Sequence, residues 1–131
     1  MSLHEIDPVG LPYEPSKLPR KRDISINDFF AVDLRIGHIV EVALLLEARH
    51  PAYCLKVDFG PVVGTLRTVA QLTQHSPDAL VGRTIVGVIN VGLRRVAGIE
   101  SDFVAVGVLG ADGTMHLMEP DGNPSAGAPI G

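Results

Sequence analysis

Tryptophan is absent from this 131-residue chain, and cysteine occurs once, at Cys54. A lone cysteine excludes an intramolecular disulfide framework and a zinc site built from cysteine clusters. Aromatic residues make up only 5% of the chain, which leaves little material for stacking a series of bases. No apolar run reaches membrane length and no apolar leader opens the sequence, so a soluble protein without a membrane partner is expected, placed in the cytoplasm. Strong charge is missing too. A net charge of −4 argues against a basic protein that coats nucleic acid, and any such binding must use a local patch.

Catalytic constellations are equally scarce. The five histidines (His4, His38, His50, His75, His116) are scattered, with no pair at metal-ligand spacing. Cys54 has no histidine partner in view and reads as a small buried residue. Asp58 ends an apolar run, where a carboxylate caps a turn. Gly107-Val-Leu-Gly110 lacks the lysine and hydroxyl residue of a phosphate loop. The expectation is a protein without catalysis, metal or cofactor.

What the chain does contain is β-branched residues and turns. Apolar residues make up 46%, with 14 glycines and 10 prolines, and the length suits one domain with a core of its own. Four prolines fall between Met1 and Arg22, beside the basic cluster Lys17, Arg20, Lys21 and Arg22. Residues 1–23 therefore read as an extended arm, disordered or packed across a partner surface, and residues 24–131 as the folded domain.

Ser25 or Asn27 is placed to cap a short helix whose apolar face is Phe29-Phe30-Ala-Val32. Leu34 to Leu46 alternates as a long strand, with Leu34, Ile36, His38, Val40, Val42 and Leu44 on one face, and Gly37 suggests a bend or bulge within it. A connection at 47–52 leads to a second strand at Tyr53–Phe59, the turn Gly60-Pro61 and a third strand at 64–70. Ser76-Pro77-Asp78 starts a helical turn. Two buried runs follow, Thr84 to Asn90 and Phe103 to Leu109. Ala111-Asp112-Gly113-Thr114 is a hairpin signal before Met115–Met118, and a Pro/Gly/Ser-rich extension ends the chain.

Five main strands with a helical turn between the third and fourth describe an all-β protein, a five-stranded OB-fold barrel with a short N-terminal helix and a C-terminal extension. A small β-sandwich fits the periodicity as well.

The two buried runs flank Asn90-Val-Gly-Leu-Arg-Arg-Val-Ala-Gly-Ile-Glu-Ser101, a polar, cationic connection on stiff strands. Guanidinium groups suit phosphate because they offer a charged, forked contact. Arg67, Arg94 and Arg95 are the candidates for such contacts. Arg35 can join them, and Asn90 and Ser101 can add neutral hydrogen bonds. Singly, each arginine is more simply a solvated charge or half of an ion pair, and Glu100 and Asp102 stand near enough to pair with Arg94 or Arg95. Tyr53 is the one aromatic kept as a stacking candidate, since core packing accounts for Phe59 and Phe103.

Asp28-Phe-Phe-Ala-Val-Asp-Leu-Arg-Ile-Gly37, Leu55-Lys-Val-Asp-Phe-Gly60, Arg67-Thr-Val-Ala-Gln-Leu72 and Asn90…Arg94-Arg95…Gly98-Ile-Glu-Ser101 together resemble the tRNA-binding OB domain. That domain is found at the end of some methionyl-tRNA synthetases and as free-standing dimers. Glu47-Ala-Arg…Pro51-Ala52, Ala70-Gln71 and Arg94-Arg-Val-Ala-Gly98 are most similar to its CsaA-type subgroup, described as export-related chaperones. The resemblance covers about residues 26–131 and leaves out the arm. Phe103-Val104 and Ala70-Gln71 depart from the wider family pattern, where Gly-Met and Ser-Gly stand.

The resemblance implies binding of tRNA or another structured RNA by shape and backbone. The alternative it implies is a chaperone for unfolded or exported polypeptides, using an apolar groove that a dimer would create and that Leu44–Leu46, Val62-Val63, Leu93, Met115 and Met118 can line. A homodimer is expected, because a short helix cannot bury Phe29 and Phe30 on one stripe and the C-terminal extension needs a surface to lie on.

Overall fold

The structure is a computed structural model that describes residues 13–45 and 51–131. The first twelve residues of the arm and most of the connection after the first strand (residues 46–50) lie outside the described residues. The all-β class holds. Among the described residues eight strands form, with three short α-helices and a 3-10 turn at Pro15–Lys17.

Ser25 is the cap of α1 (Ile26–Phe30), its hydroxyl accepting the N–H of Asp28. β1 (Leu34–Leu45) is the long strand expected from the alternation. It pairs with β4 (Thr84–Val88) through its first half and with β2 (Ala52–Asp58) through its second. The irregularity sits at Val40 rather than Gly37: the register passes from Ile39↔Val57 to Glu41↔Lys56. One extra residue exchanges the faces, so the single alternation expected across the whole strand fails beyond Ile39. Val40 is exposed and Ile39 is buried.

β2 turns through α2 (Gly60–Val63) into β3 (Thr65–Ala70), and the Asp58 carboxylate accepts the Gly60 N–H as the sequence suggested. α3 (Pro77–Leu80) is capped by Ser76 and drops Leu80 into the core. β7 (Val104–Leu109) and β8 (Met115–Leu117) form the hairpin around Asp112-Gly113. The main sheet therefore has six strands in the order β3-β2-β1-β4-β7-β8. No ladder joins β3 to β7. Instead the Asp102 N–H donates to the Arg67 C=O and the Thr68 hydroxyl donates to the Phe103 C=O, which ties the two sides at one place.

Phe59 and Phe103 meet edge to face at the centre of the core, 4.9 Å between ring centroids. Leu55, Val57, Leu72, Leu80 and Ile85 enclose them. Cys54 is half-buried within β2, opposite Ala43 and Val69.

The C-terminal tail and the described part of the arm lie on the chain's own surface. The tail runs along the start of β1, where Ile36 and Gly127–Ala128 exchange main-chain bonds and Ile130 donates to Leu34. Tyr13 donates its N–H to Ala111 and its hydroxyl to Leu109, which fastens the described part of the arm to the β7–β8 hairpin. The extension thus has a bed without a second copy. α1 does not, for no residue in it is buried.

Arg83 and Glu119 close the surface between β4 and the segment after β8, 3.0 Å apart. The hydrogen bond and charge of Arg83 hold the Glu119 carboxyl below the ordinary glutamate value. A depressed carboxylate adds stability that is complete above the ordinary range and lost as pH falls through the lowered value. The pair is partly exposed, so its worth is about 0.2–1 kcal/mol. Glu119→Gln is expected to flatten the acid side of the stability–pH curve by that amount, read from urea unfolding at several pH values.

Candidate functional site

The stretch between β4 and β7 is a second, two-stranded sheet rather than a simple turn. β5 (Arg94–Val96) pairs with β6 (Ile99–Ser101) around Ala97-Gly98, both at positive φ. Two successive left-handed residues make the tight turn that suits a twisted hairpin.

Strand alternation separates the two adjacent arginines. Arg94 opposes Ser101 and Arg95 opposes Glu100, so their side chains leave opposite faces of the hairpin. Arg94 faces inward. Its Nη2 reaches Ser101 Oγ at 3.4 Å and the Phe103 C=O at 3.3 Å. Ser101 is fully enclosed, and its hydroxyl is bonded to Thr68 and to the Phe103 C=O. It orients Arg94 from beneath and offers no surface to a ligand.

Arg95 stands exposed, and Arg67 is half-buried on β3. Neither guanidinium has a hydrogen bond or ion pair among the described residues. Glu100 and Asp102 pair with neither Arg94 nor Arg95. The Asp102 carboxylate instead accepts the main-chain N–H of Arg67.

Asn90 and Arg35 belong to another place. The Asn90 amide accepts from Asp33 N–H and donates to the Ala31 C=O, which fixes the link from α1 to β1. Arg35 pairs with Asp33 at 2.6 Å and donates to the Gly127 C=O. The six candidates therefore divide: Arg67, Arg94, Arg95 and Ser101 cluster at the β3–β5–β6 corner, and Arg35 and Asn90 lock the junction of α1, β1 and the tail. Tyr53 is buried with its hydroxyl on the His75 C=O, so it cannot stack on a base.

A groove of about 830 Å³ opens beside Arg94, between β3, the β5–β6 hairpin and the β7–β8 hairpin. Its walls include Thr68–Gln71, Gln74, Val96, Val104, Leu109 and Asp112–Met115. Gln74 donates to the Met115 C=O across one side. Hydrogen bonds from Thr114, with a smaller contribution from the charge of His116, keep the Asp112 carboxyl below its ordinary value. The groove thus presents a cation from one wall and an anion from another. Sequence reasoning missed Gln74 and Asp112–Thr114, although Gln71 lay inside a quoted motif. Within one protomer, the residues expected to line an apolar dimer groove are dispersed. Met115 lines this one, Val62 and Leu44 stand exposed at opposite ends of β2, Leu45 is buried, Leu46 lies outside the described residues, Val63 packs on the core, and Leu93 and Met118 are exposed.

Among the described residues no group of histidine, cysteine or acidic side chains is placed to hold a metal ion, and no helix is long and apolar enough to cross a membrane.

No family model matches the chain. The CsaA chaperone protein of Picrophilus torridus is 36% identical, with a TM-score of 0.78, over 83% of this chain and all of that one. The chaperone CsaA of Bacillus anthracis is 34% identical, with a TM-score of 0.79, over 84% of this chain and all of that one. The methionine–tRNA ligase of Pelodictyon phaeoclathratiforme is 30% identical over 118 residues, 89% of this chain but only 16% of that protein. The chain belongs to the tRNA-binding-domain family of the CsaA type.

Proposed function

We propose that the protein binds tRNA or another structured RNA without catalysis, holding its backbone with Arg94, Arg95 and Arg67. The observation that carries this reading is the β5–β6 corner. Arg94 is oriented by Ser101 and the Phe103 C=O while most of its donors stay open, and among the described residues Arg67 and Arg95 have no partner to give up. Phosphate contacts from a rigid hairpin position a shaped RNA without reading its sequence. Arg35 and Asn90 act on the frame, not the ligand. The family supports an RNA ligand, and the methionine–tRNA ligase relatives carry tRNA in their name. Because the chain spans 16% of those proteins, aminoacylation is not part of the reading.

We read the sheet as the OB type, its β3 and β7 sides tied through Arg67–Asp102 and Thr68–Phe103. Exposed Phe29 and Phe30 on α1 favour a homodimer that doubles the arginine corner. A second reading, a chaperone for polypeptides, is favoured by the groove beside Arg94 and by the name of the CsaA relatives.

The test is a salt titration of tRNA binding by wild type and the double variant Arg94→Ala/Arg95→Ala. Each lost phosphate contact removes about 0.7–0.9 from the log–log slope, so the double variant is expected to lose about 1.4–1.8. Absence of wild-type binding at low salt would sink the RNA reading.

A further inference from the structure

β3 carries main-chain groups that face the groove without a partner among the described residues. Arg67 gives its N–H to the Asp102 carboxylate and takes the Asp102 N–H at its C=O, so its main-chain groups point away from β2. Strand geometry repeats every two residues, so the N–H and C=O of Val69 point the same way. Val69 stands opposite Cys54, and the ladder bonds to β2 there are made by its neighbours Thr68 and Ala70. No hydrogen bond among the described residues reaches the open side of Val69. The same edge is already satisfied at Arg67 by a segment that is not a strand of the sheet.

An open strand edge is a template for one more strand, because it supplies a donor and an acceptor at the spacing an extended chain needs. Here the edge lies inside a groove instead of on a bare rim. The volume, about 830 Å³, falls within the range of ligand pockets, about 300–1,000 Å³. Val96, Val104 and Leu109 offer apolar walls to side chains that alternate along such a strand. Arg94 offers a cation at the rim with donors left over after its two long bonds. RNA fits this edge less well, since its phosphates only accept, and its donors, the 2′-OH and the base N–H groups, do not recur at the spacing of a strand edge.

We infer that the groove takes an extended polypeptide segment that adds to β3 as a strand through the main chain of Val69, with an acidic side chain received by Arg94. This rests on the polypeptide reading above, and it shares Arg94 with the RNA reading.

The probe is a fluorescein-labelled, C-terminally amidated nonapeptide that alternates valine and serine around one aspartate, and binding to the full chain is read by anisotropy. Val69→Pro removes the outward N–H and leaves the ladder to β2 intact, as proline allows on an edge. It is expected to weaken binding about tenfold, the loss of one well-made hydrogen bond. Arg94→Ala is expected to weaken the aspartate peptide and leave an asparagine peptide unchanged. Should Val69→Pro fail to fold, the wild type still decides. Peptides N-methylated at alternate amides must divide, one set losing binding and the other keeping it, and the peptide must slow hydrogen exchange at the Val69 amide. Equal tolerance of both N-methylated sets, or full binding by folded Val69→Pro, overturns strand addition and leaves polypeptide binding standing. No binding of the peptide overturns both. Protection of the Val69 amide by oligouridylate but not by the peptide assigns the groove to RNA and overturns the inference as well.

Discussion

Phe103→Ala is expected to lower the unfolding free energy by about 3–5 kcal/mol, the cost of a vacated aromatic site in a core that cannot fully collapse. Phe103 is fully buried and meets Phe59 edge to face, so the substitution removes contacts from both rings. Its effect extends beyond volume. The Phe103 C=O receives the hydroxyls of Thr68 and Ser101 and the Nη2 of Arg94. The ring anchors the backbone that holds this carbonyl in place, and the carbonyl in turn orients the arginine. Loss of the ring should therefore weaken tRNA binding in the fraction that stays folded, while Phe103→Leu should recover much of both properties. Urea unfolding with the same slope and a lowered midpoint would show a loss of stability without a change of fold. A loss below about 1 kcal/mol would mean that the site closes over the gap and that the ring does not hold the corner.

Much of the strand plan was legible because β-branched runs bounded by glycine and proline leave few other structures. The caps at Ser25 and Ser76 and the Asp112-Gly113 hairpin were legible for the same local reason, a residue type matched to one backbone need. The bulge was visible only as a suspicion, and it was placed at Gly37. Glycine there marks room, not a bend: a Cβ would collide with Val57 and Phe59. The residue that does break the register, Val40, has no local signal, since it is the packing of Ile39 and the pairing with Lys56 that force it outward.

The site was legible in content and not in arrangement. Two neighbouring arginines read as one patch in a sequence, but a strand sends them to opposite faces. That Arg94 and Arg95 lie in a strand depends on a turn at Ala97-Gly98, and alanine at positive φ is not a recognisable hairpin signal. Ser101 looked available because serine is polar, whereas the Phe103 and Thr68 groups that enclose it come from elements on either side of it in the fold. Tyr53 was lost in the same way, drawn inward by a carbonyl 22 residues along the chain. The open edge at Val69 could not be read at all, because it depends on which side of β3 Asp102 occupies.

Gly87→Ala carries the second large expectation and shows how tightly the same ring pair is held. A Cβ at Gly87 would stand 2.7 Å from the Phe103 ring and 2.8 Å from the Phe59 ring, and both rings are buried in the core. Its φ lies outside the left-handed region, so crowding and not backbone conformation sets the cost. Overpacking of this kind costs about 1–3 kcal/mol. Alanine recovers about 0.4–1 kcal/mol by stiffening the unfolded chain, which leaves a net loss if the steric cost is in its usual range. The cause can be separated from a general strand effect by a double-mutant cycle. Phe59→Leu makes room beside residue 87, so Gly87→Ala should cost less in that background, with a coupling of about 0.5–3 kcal/mol. Strict additivity of the two substitutions would place the cost elsewhere than the Phe59 ring. A smaller cost in that background would establish that the glycine in β4 leaves room for Phe59, the aromatic just after β2, and for its ring partner Phe103, which leads into β7 beside the arginine corner.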